Sequence, residues 1–254
     1  MKKIYAIGIG AGDIEHATVQ AINALNQVDV FFVITKRGET NDLVELRKAM
    51  FARYIDDHPY RVVELQDPDR DRSARQYGEA VDDWRERRAG QWESAIADEL
   101  EHDEIGGFLV WGDPSLYDST LAVFDQILEA GRVAFEYEVI AGISSVHALT
   151  ARHRIPLNRV AQPVLITTGR RLAEGFPSDA DDVVVMLDAD CSFRHLRDDG
   201  IDIYWGAYLG TSDEILISGR LAEVSDQIQQ TRAEARLKKG WIMDTYLLRR
   251  HDKR

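Results

Sequence analysis

Four short segments, each following a run of apolar residues, carry the residue types that could do chemistry in this chain. Gly8-Ile9-Gly10-Ala11-Gly12-Asp13 looks like a dinucleotide loop, yet Asp13 stands where that fingerprint needs its third glycine. Glycine there permits close helix packing, and a carboxylate would oppose a pyrophosphate at the helix start. The segment is a loop for a different ligand or a plain strand-to-helix turn. In Trp111-Gly112-Asp113-Pro114-Ser115-Leu116-Tyr117-Asp118-Ser119, glycine lets a ligand approach the backbone and proline fixes the turn. The Asp113 carboxylate suits an amine or ribose hydroxyls, or else caps a helix. Ala141-Gly142-Ile143-Ser144-Ser145 offers two hydroxyls for a ligand carboxylate or for a helix start. Thr167-Thr168-Gly169-Arg170-Arg171 sets two guanidinium groups side by side, suited to bidentate pairing with carboxylates or simply to a charged surface.

Alternating strands and helices must position these segments. Lys3–Ile9 and Val30–Ile34 read as buried parallel strands around a helix with Ala21, Ile22, Leu25 and Val28 on one face and Thr18 as its cap. Arg61–Leu65 suggests a strand, and a long amphipathic helix then carries Tyr77, Val81, Trp84, Trp92, Ile96 and Leu100. Gly107–Trp111 is a further buried strand, followed by a helix with Leu121, Phe124 and Leu128 on one face. Phe135, Tyr137 and Val139 alternate with glutamates as another. Beyond them Val164–Thr168, Val183–Leu187, Ile201–Trp205 and Glu214–Ile217 continue a sheet, and Leu221, Val224 and Ile228 share a helical face. Each motif then falls at the carboxyl end of a strand, where α/β proteins bind ligands. The proline-bearing stretch Pro156–Gln162 separates the two series and predicts two α/β domains, 1–157 and 158–254.

Composition narrows the function. With 254 residues, 44% of them hydrophobic, each half can bury a core of its own. No run of eighteen apolar residues occurs, so no membrane span is expected. The segment Met1–Gly8 meets glycines and Asp13 too soon for a secretory signal, and a cytoplasmic protein is expected. A net charge of −13 disfavours a nucleic-acid partner. Cys191 is the only cysteine, and the seven histidines show no ligand spacing, so no metal site is expected.

In their order along the chain, these motifs resemble the tetrapyrrole (corrin/porphyrin) methylase family. A first motif close to G-x-G-P-G-D, followed by T-x-x-A-x-x-x-L and D-V, is matched by Gly8–Asp13, Thr18, Ala21, Leu25 and Asp29-Val30, with Ala11 in place of proline. The second, G-D-P-x-x-Y, is matched by Gly112, Asp113, Pro114 and Tyr117. The third is matched by Gly142–Ser145 and Pro156-Leu157, with Ala141 for proline. Trp111–Thr120 and Thr167–Pro177 resemble the branch that makes precorrin-6A with deacetylation.

The resemblance implies two α/β domains with a ligand cleft between them, the class III methyltransferase fold. It implies S-adenosylmethionine as methyl donor, leaving as S-adenosylhomocysteine, a small tetrapyrrole substrate and a homodimer. The reaction implied is C1 methylation of precorrin-5 with release of acetate in cobalamin biosynthesis; another precorrin or uroporphyrinogen-III methylation is the alternative. Carried over by position, the donor contacts are Ala11, Trp111, Gly112, Asp113, Leu116, Ser144, Ser145, Met186, Leu187 and Gly210. Tyr117 and Asp118, which flank the donor loop, are the candidates for proton handling. Arg170 and Arg171, with Lys36 and Arg37 behind them, are the candidates for substrate carboxylates. The acidic residue that some relatives carry after the second strand has no counterpart in Ile34-Thr35-Lys36, so its role is not transferred.

Overall fold

Runs of β-branched and aromatic residues become strands wherever glycine, proline or acidic clusters interrupt them. The computed structural model describes residues 1–35, 41–69, 77–196 and 200–251, with side chains for all of these except 41–43 and 77–82. Lys36, Arg37 and Arg70–Arg72 lie outside the described residues, as do the side chains of Tyr77 and Val81. The chain divides into two compact units, Met1–Gly10 with Ile14–Ile143, and Ala11–Asp13 with Ser144–Arg254.

The first unit holds β1 (Lys2–Gly8), α1 (Val19–Leu25), β2 (Val30–Thr35), α2 (Asn41–Tyr54), β3 (Arg61–Gln66), α3 (Tyr77–Glu99), β4 (Ile105–Val110), α4 (Thr120–Ala130) and β5 (Phe135–Ile140). Its strands pair in the order β3-β2-β4-β1-β5, every pair parallel. Alternate residues of β1 serve opposite faces, as a sheet covered on both sides requires. Tyr5 and Ile7 pack with Ala21, Leu25 and Met50 of α1 and α2. Ile4 and Ala6 pack with Trp92, Ile96, Phe124 and Ile127 of α3 and α4. Thr18 caps α1 as expected, its Oγ1 accepting from Ala21 N at 3.0 Å. Trp92 is core, its ring centroid 4.5 Å from that of Phe108.

The second unit holds α5 (Ser145–His153), β6 (Val164–Thr168), the short α6 (Gly169–Leu172), β7 (Asp182–Met186), β8 (Ile201–Ala207), β9 (Ile215–Arg220), α7 (Leu221–Lys239) and β10 (Asp244–Arg250). Its sheet is mixed, in the order β6-β7-β10-β8-β9, with only β6 and β7 parallel. The sequence pattern predicts neither α2 nor β10. β10 nonetheless sits at the centre of the sheet, with Tyr246, Leu247 and Leu248 buried between polar ends. The compact units part at Ile143/Ser144, whereas the proline-bearing stretch suggests 157/158. The reason is α5, whose buried face of Val146, Ala148 and Leu149 belongs to the second sheet. A Cβ on Gly206 of β8 would stand 2.8 Å from Leu149, and His153 Nε2 lies 3.0 Å from the Trp205 carbonyl, its N–H donating to that oxygen. Among the described residues no helix is long and apolar enough to cross a membrane.

His153 makes this docking pH-sensitive. Burial pushes its imidazole below the ordinary value, against the smaller effects of the Trp205 carbonyl and Glu214. The unfolded chain titrates near about pH 6.5, so between that value and the lower folded one the unfolded state binds more protons. Stability is therefore full above about pH 6.5 and declines as pH falls through the folded value. Urea midpoints across this window should fall further for the wild type than for His153→Gln; parallel curves would contradict the assignment.

Candidate active site

Neighbouring strands β4, β1 and β5 bring three of the four motifs to one edge of the first sheet. β1 leads through α1 to β2 on one side, whereas β4 leads through α4 to β5 on the other. The crevice between β1 and β4 is thus the point where the winding reverses, the usual ligand position in such sheets. Here the backbones touch. Gly10 N donates to Gly112 O at 3.2 Å, and Gly112 N donates to Gly10 O at 2.8 Å. A Cβ on Gly8 would stand 2.6 Å from Gly142 N and 2.9 Å from Gly112 O, and one on Gly142 would collide with Gly112 O. Only glycine lets the three chains meet.

Asp113 locks the junction. Its Oδ2 accepts from Gly142 N at 2.8 Å, and its Oδ1 accepts from Ser115 N at 2.8 Å and from the Ser115 hydroxyl. It joins two loops and does not cap α4. The Gly8–Asp13 segment does not open a helix either. A 3-10 turn at Ile14–His16 precedes α1, so no helix N-terminus faces the loop in the manner of a dinucleotide site.

The rest of the Trp111–Ser119 loop is less tightly held. Trp111 is half-buried, and its indole N–H has no hydrogen-bond partner among the described residues, an orphan donor suited to a ligand. Leu116 is half-buried. Tyr117 is 45% exposed with φ 51°, a conformation that strains a non-glycine residue, and burial raises its phenol. Asp118 Oδ1 accepts from Thr120 N at 2.6 Å, so one carboxylate oxygen fastens the start of α4.

In the second unit Ser144 is a helix cap: its Oγ accepts from His147 N and lies 2.9 Å from His147 Nδ1. Ser145 follows, half-buried. β7 ends at Met186, and Leu187 beyond it has φ 54° and is 66% exposed. Asp188 holds that turn. Its carboxylate accepts from Ser192 N at 2.6 Å, Ser192 Oγ at 2.9 Å and Tyr246 OH at 2.6 Å. Its carbonyl accepts from Arg232 Nη2 at 3.0 Å, while Arg232 Nε pairs at 2.9 Å with Asp244, whose side chain is 7% exposed. Gly169 fits against Asp188 because a Cβ there would overlap the carboxylate. Gly210 has φ 78°, and its N–H donates to Glu214 Oε2 at 2.8 Å. Arg170 and Arg171 are exposed on α6, with Arg171 paired to Glu174 at 3.2 Å. Sequence reasoning misses Asp188, Arg232, Asp244 and Tyr246. They are single polar residues without a motif, and their only signal is an aspartate directly after a buried strand.

A doubly wound parallel sheet in one unit, with glycine loops meeting at its switch point, and a mixed sheet in the other define an α/β ligand-binding enzyme fold. The chain belongs to the Tetrapyrrole (Corrin/Porphyrin) Methylases, whose family model matches residues 3–225. It is 53% identical to a precorrin-6A synthase [deacetylating] of Sinorhizobium sp, over 98% of this chain and 96% of that one. A crystal structure of a cobalamin-synthesis-related protein (CobF) of Corynebacterium diphtheriae is similar at TM-score 0.85 and 35% identity, covering 99% of this chain and 100% of that one. The uroporphyrin-III C-methyltransferase of Thermus thermophilus, solved with S-adenosylhomocysteine, shares the fold at TM-score 0.57 and 17% identity, covering 97% and 91%.

The junction tolerates no side chain at its centre. Gly142→Ala drives a methyl into the Gly112 carbonyl, and overpacking of this kind costs about 1–3 kcal/mol. The expected result is a lowered thermal midpoint with weakened S-adenosylhomocysteine binding by calorimetry. An unchanged midpoint and affinity would show that the loops do not meet in this way.

Proposed function

We propose that this chain methylates C1 of precorrin-5 and releases the ring acetyl group as acetate, giving precorrin-6A in cobalamin biosynthesis. The observation that carries the reading is the 53% identity, over nearly the whole chain, to a precorrin-6A synthase [deacetylating]. The methyl donor is S-adenosylmethionine, which brings a methyl already activated on sulfonium and so supplies its own leaving group. In the loops after β1 and β4, Ala11, Trp111, Gly112 and Leu116 are the residues to hold it, with Asp113 fixing the loops around them. The orphan indole N–H of Trp111 supports that choice. In the second unit Ser144, Ser145, Met186, Leu187 and Gly210 are the candidates; an exposed leucine held in a left-handed turn suits an apolar ligand surface.

The protein's work is chiefly positioning, worth about 7–11 kcal/mol when reacting atoms are held in line. Acetate release needs water to add to the acetyl carbonyl and give up a proton. The C1–acetyl bond then breaks, its electron pair passes to C1, acetate departs, and C1 takes the methyl. Tyr117, its phenol raised by burial, keeps its proton at neutral pH and is suited to donate to the ketone oxygen. Asp118, with one oxygen on Thr120 N, has the other for the attacking water. Arg170 and Arg171 are the groups for substrate carboxylates, Arg171 in exchange for its pairing with Glu174. A homodimer, on the strength of the family resemblance, and a cytoplasmic location complete the reading.

Incubation with precorrin-5 and methyl-labelled donor, followed by mass analysis, tests the assignment. One labelled methyl gained and one acetate released are expected. A methyl gained without acetate would move the chain to another precorrin or uroporphyrinogen-III methylation.

A further inference from the structure

Arg88 lies in the middle of α3, outside every motif, yet it is only 9% exposed. Its guanidinium carbon stands 4.8 Å from the centroid of the Trp84 ring and 4.6 Å from that of Trp92. Nε is 3.2 Å from Asp67 Oδ1, just beyond the end of β3. Nη1 donates to Ser119 Oγ at 2.6 Å. Burial pulls the guanidinium pKa down, and the charges of Asp67 and Asp118 oppose that pull. An apolar side chain between two indoles would avoid the penalty of burying a charge, so the arginine is there for what its planar fork reaches.

What it reaches is the end of the Trp111–Ser119 loop. Ser119 precedes α4 and follows Asp118, whose carboxylate holds Thr120 N, and strained Tyr117 comes just before. The two ends of this loop are anchored separately. Gly112 is tied to Gly10 by backbone hydrogen bonds and the Asp113 carboxylate to Gly142 N, and neither tie involves Arg88. Ser119 is tied to Arg88.

We infer that Arg88 is a positioning residue for Tyr117 and Asp118: the Trp84–Arg88–Trp92 stack, anchored on Asp67, sets the proton-handling end of the loop and leaves the donor end alone. Arg88 does not touch substrate; it acts through Ser119. The inference rests on the proposed reaction and assigns α3 to its acetate-releasing half. Lysine cannot replace it, because a point charge reaches Asp67 or Ser119 but cannot bridge both as the planar fork does.

Arg88→Met, Arg88→Lys and Ser119→Ala test it, each measured for thermal midpoint, S-adenosylhomocysteine affinity by calorimetry, and kcat and KM for acetate release from precorrin-5. Small misplacements of reacting groups cost about 100-fold in rate. The expected result is a loss of kcat of about that size in Arg88→Met and Arg88→Lys, and a smaller loss in Ser119→Ala. S-adenosylhomocysteine affinity and the KM for precorrin-5 should stay within about threefold of wild type. An S-adenosylhomocysteine affinity that falls in step with kcat would overturn the inference, as would unchanged kcat in the variants that fold. Ser119→Ala removes only a hydroxyl and decides the matter if the Arg88 variants do not fold. Failure of the proposed reaction shows separately, as no acetate released by the wild type.

Discussion

The meeting of three backbones at Gly8, Gly112 and Gly142 is the constraint on which the first unit depends. It fixes how closely the loops after β1, β4 and β5 approach, and through the pair of Gly10–Gly112 hydrogen bonds it fixes their register. A side chain at Gly8 or Gly142 would part the loops. The Asp113 carboxylate then converts proximity into attachment by accepting the Gly142 N–H. The aspartate that the family resemblance offers as a donor contact also fastens these separate loops together.

The second unit solves the same problem with polar side chains. Leu187 is exposed and strained at the end of β7, and such a conformation persists only where its surroundings over-determine it. Asp188, fully engaged by Ser192 and Tyr246, is that surrounding, with Arg232 holding its carbonyl and Asp244 holding Arg232. Because Asp244 and Tyr246 lie on β10, the C-terminal strand is tied to the turn after β7. Burial drives the Tyr246 phenol well above its ordinary value, so it stays a donor to Asp188. A buried network is worth its desolvation only when every member is satisfied.

Much of this was legible in the residues. Apolar runs located β1, β2 and β4, alternation with glutamates located β5, and Thr18 marked the start of α1 because its hydroxyl is needed there. The ordered motifs pointed to the family, and the family model and relatives agree with them. α2 and β10 were not legible. α2 interleaves charges with its apolar residues, and β10 is bounded by Asp244, Arg249 and Arg250, which look like solvent residues. In the fold Asp244 pairs with Arg232, and Arg249 pairs with buried Asp182. The proline-bearing stretch suggested a boundary at 157/158, whereas the compact units part before α5, whose apolar face belongs to the second sheet. Roles were harder than places. The sequence pattern left Asp113 and Ser144 open between ligand contact and cap; in the structure the Asp113 carboxylate joins two loops and Ser144 caps α5.

Amide hydrogen exchange with and without S-adenosylhomocysteine bears most directly on the junction as the donor site. Slower exchange is expected at Gly8–Asp13, Trp111–Tyr117 and Ala141–Ser145 together, with β3 and the body of α3 unchanged. Protection confined to other segments, while calorimetry still records binding, would contradict it.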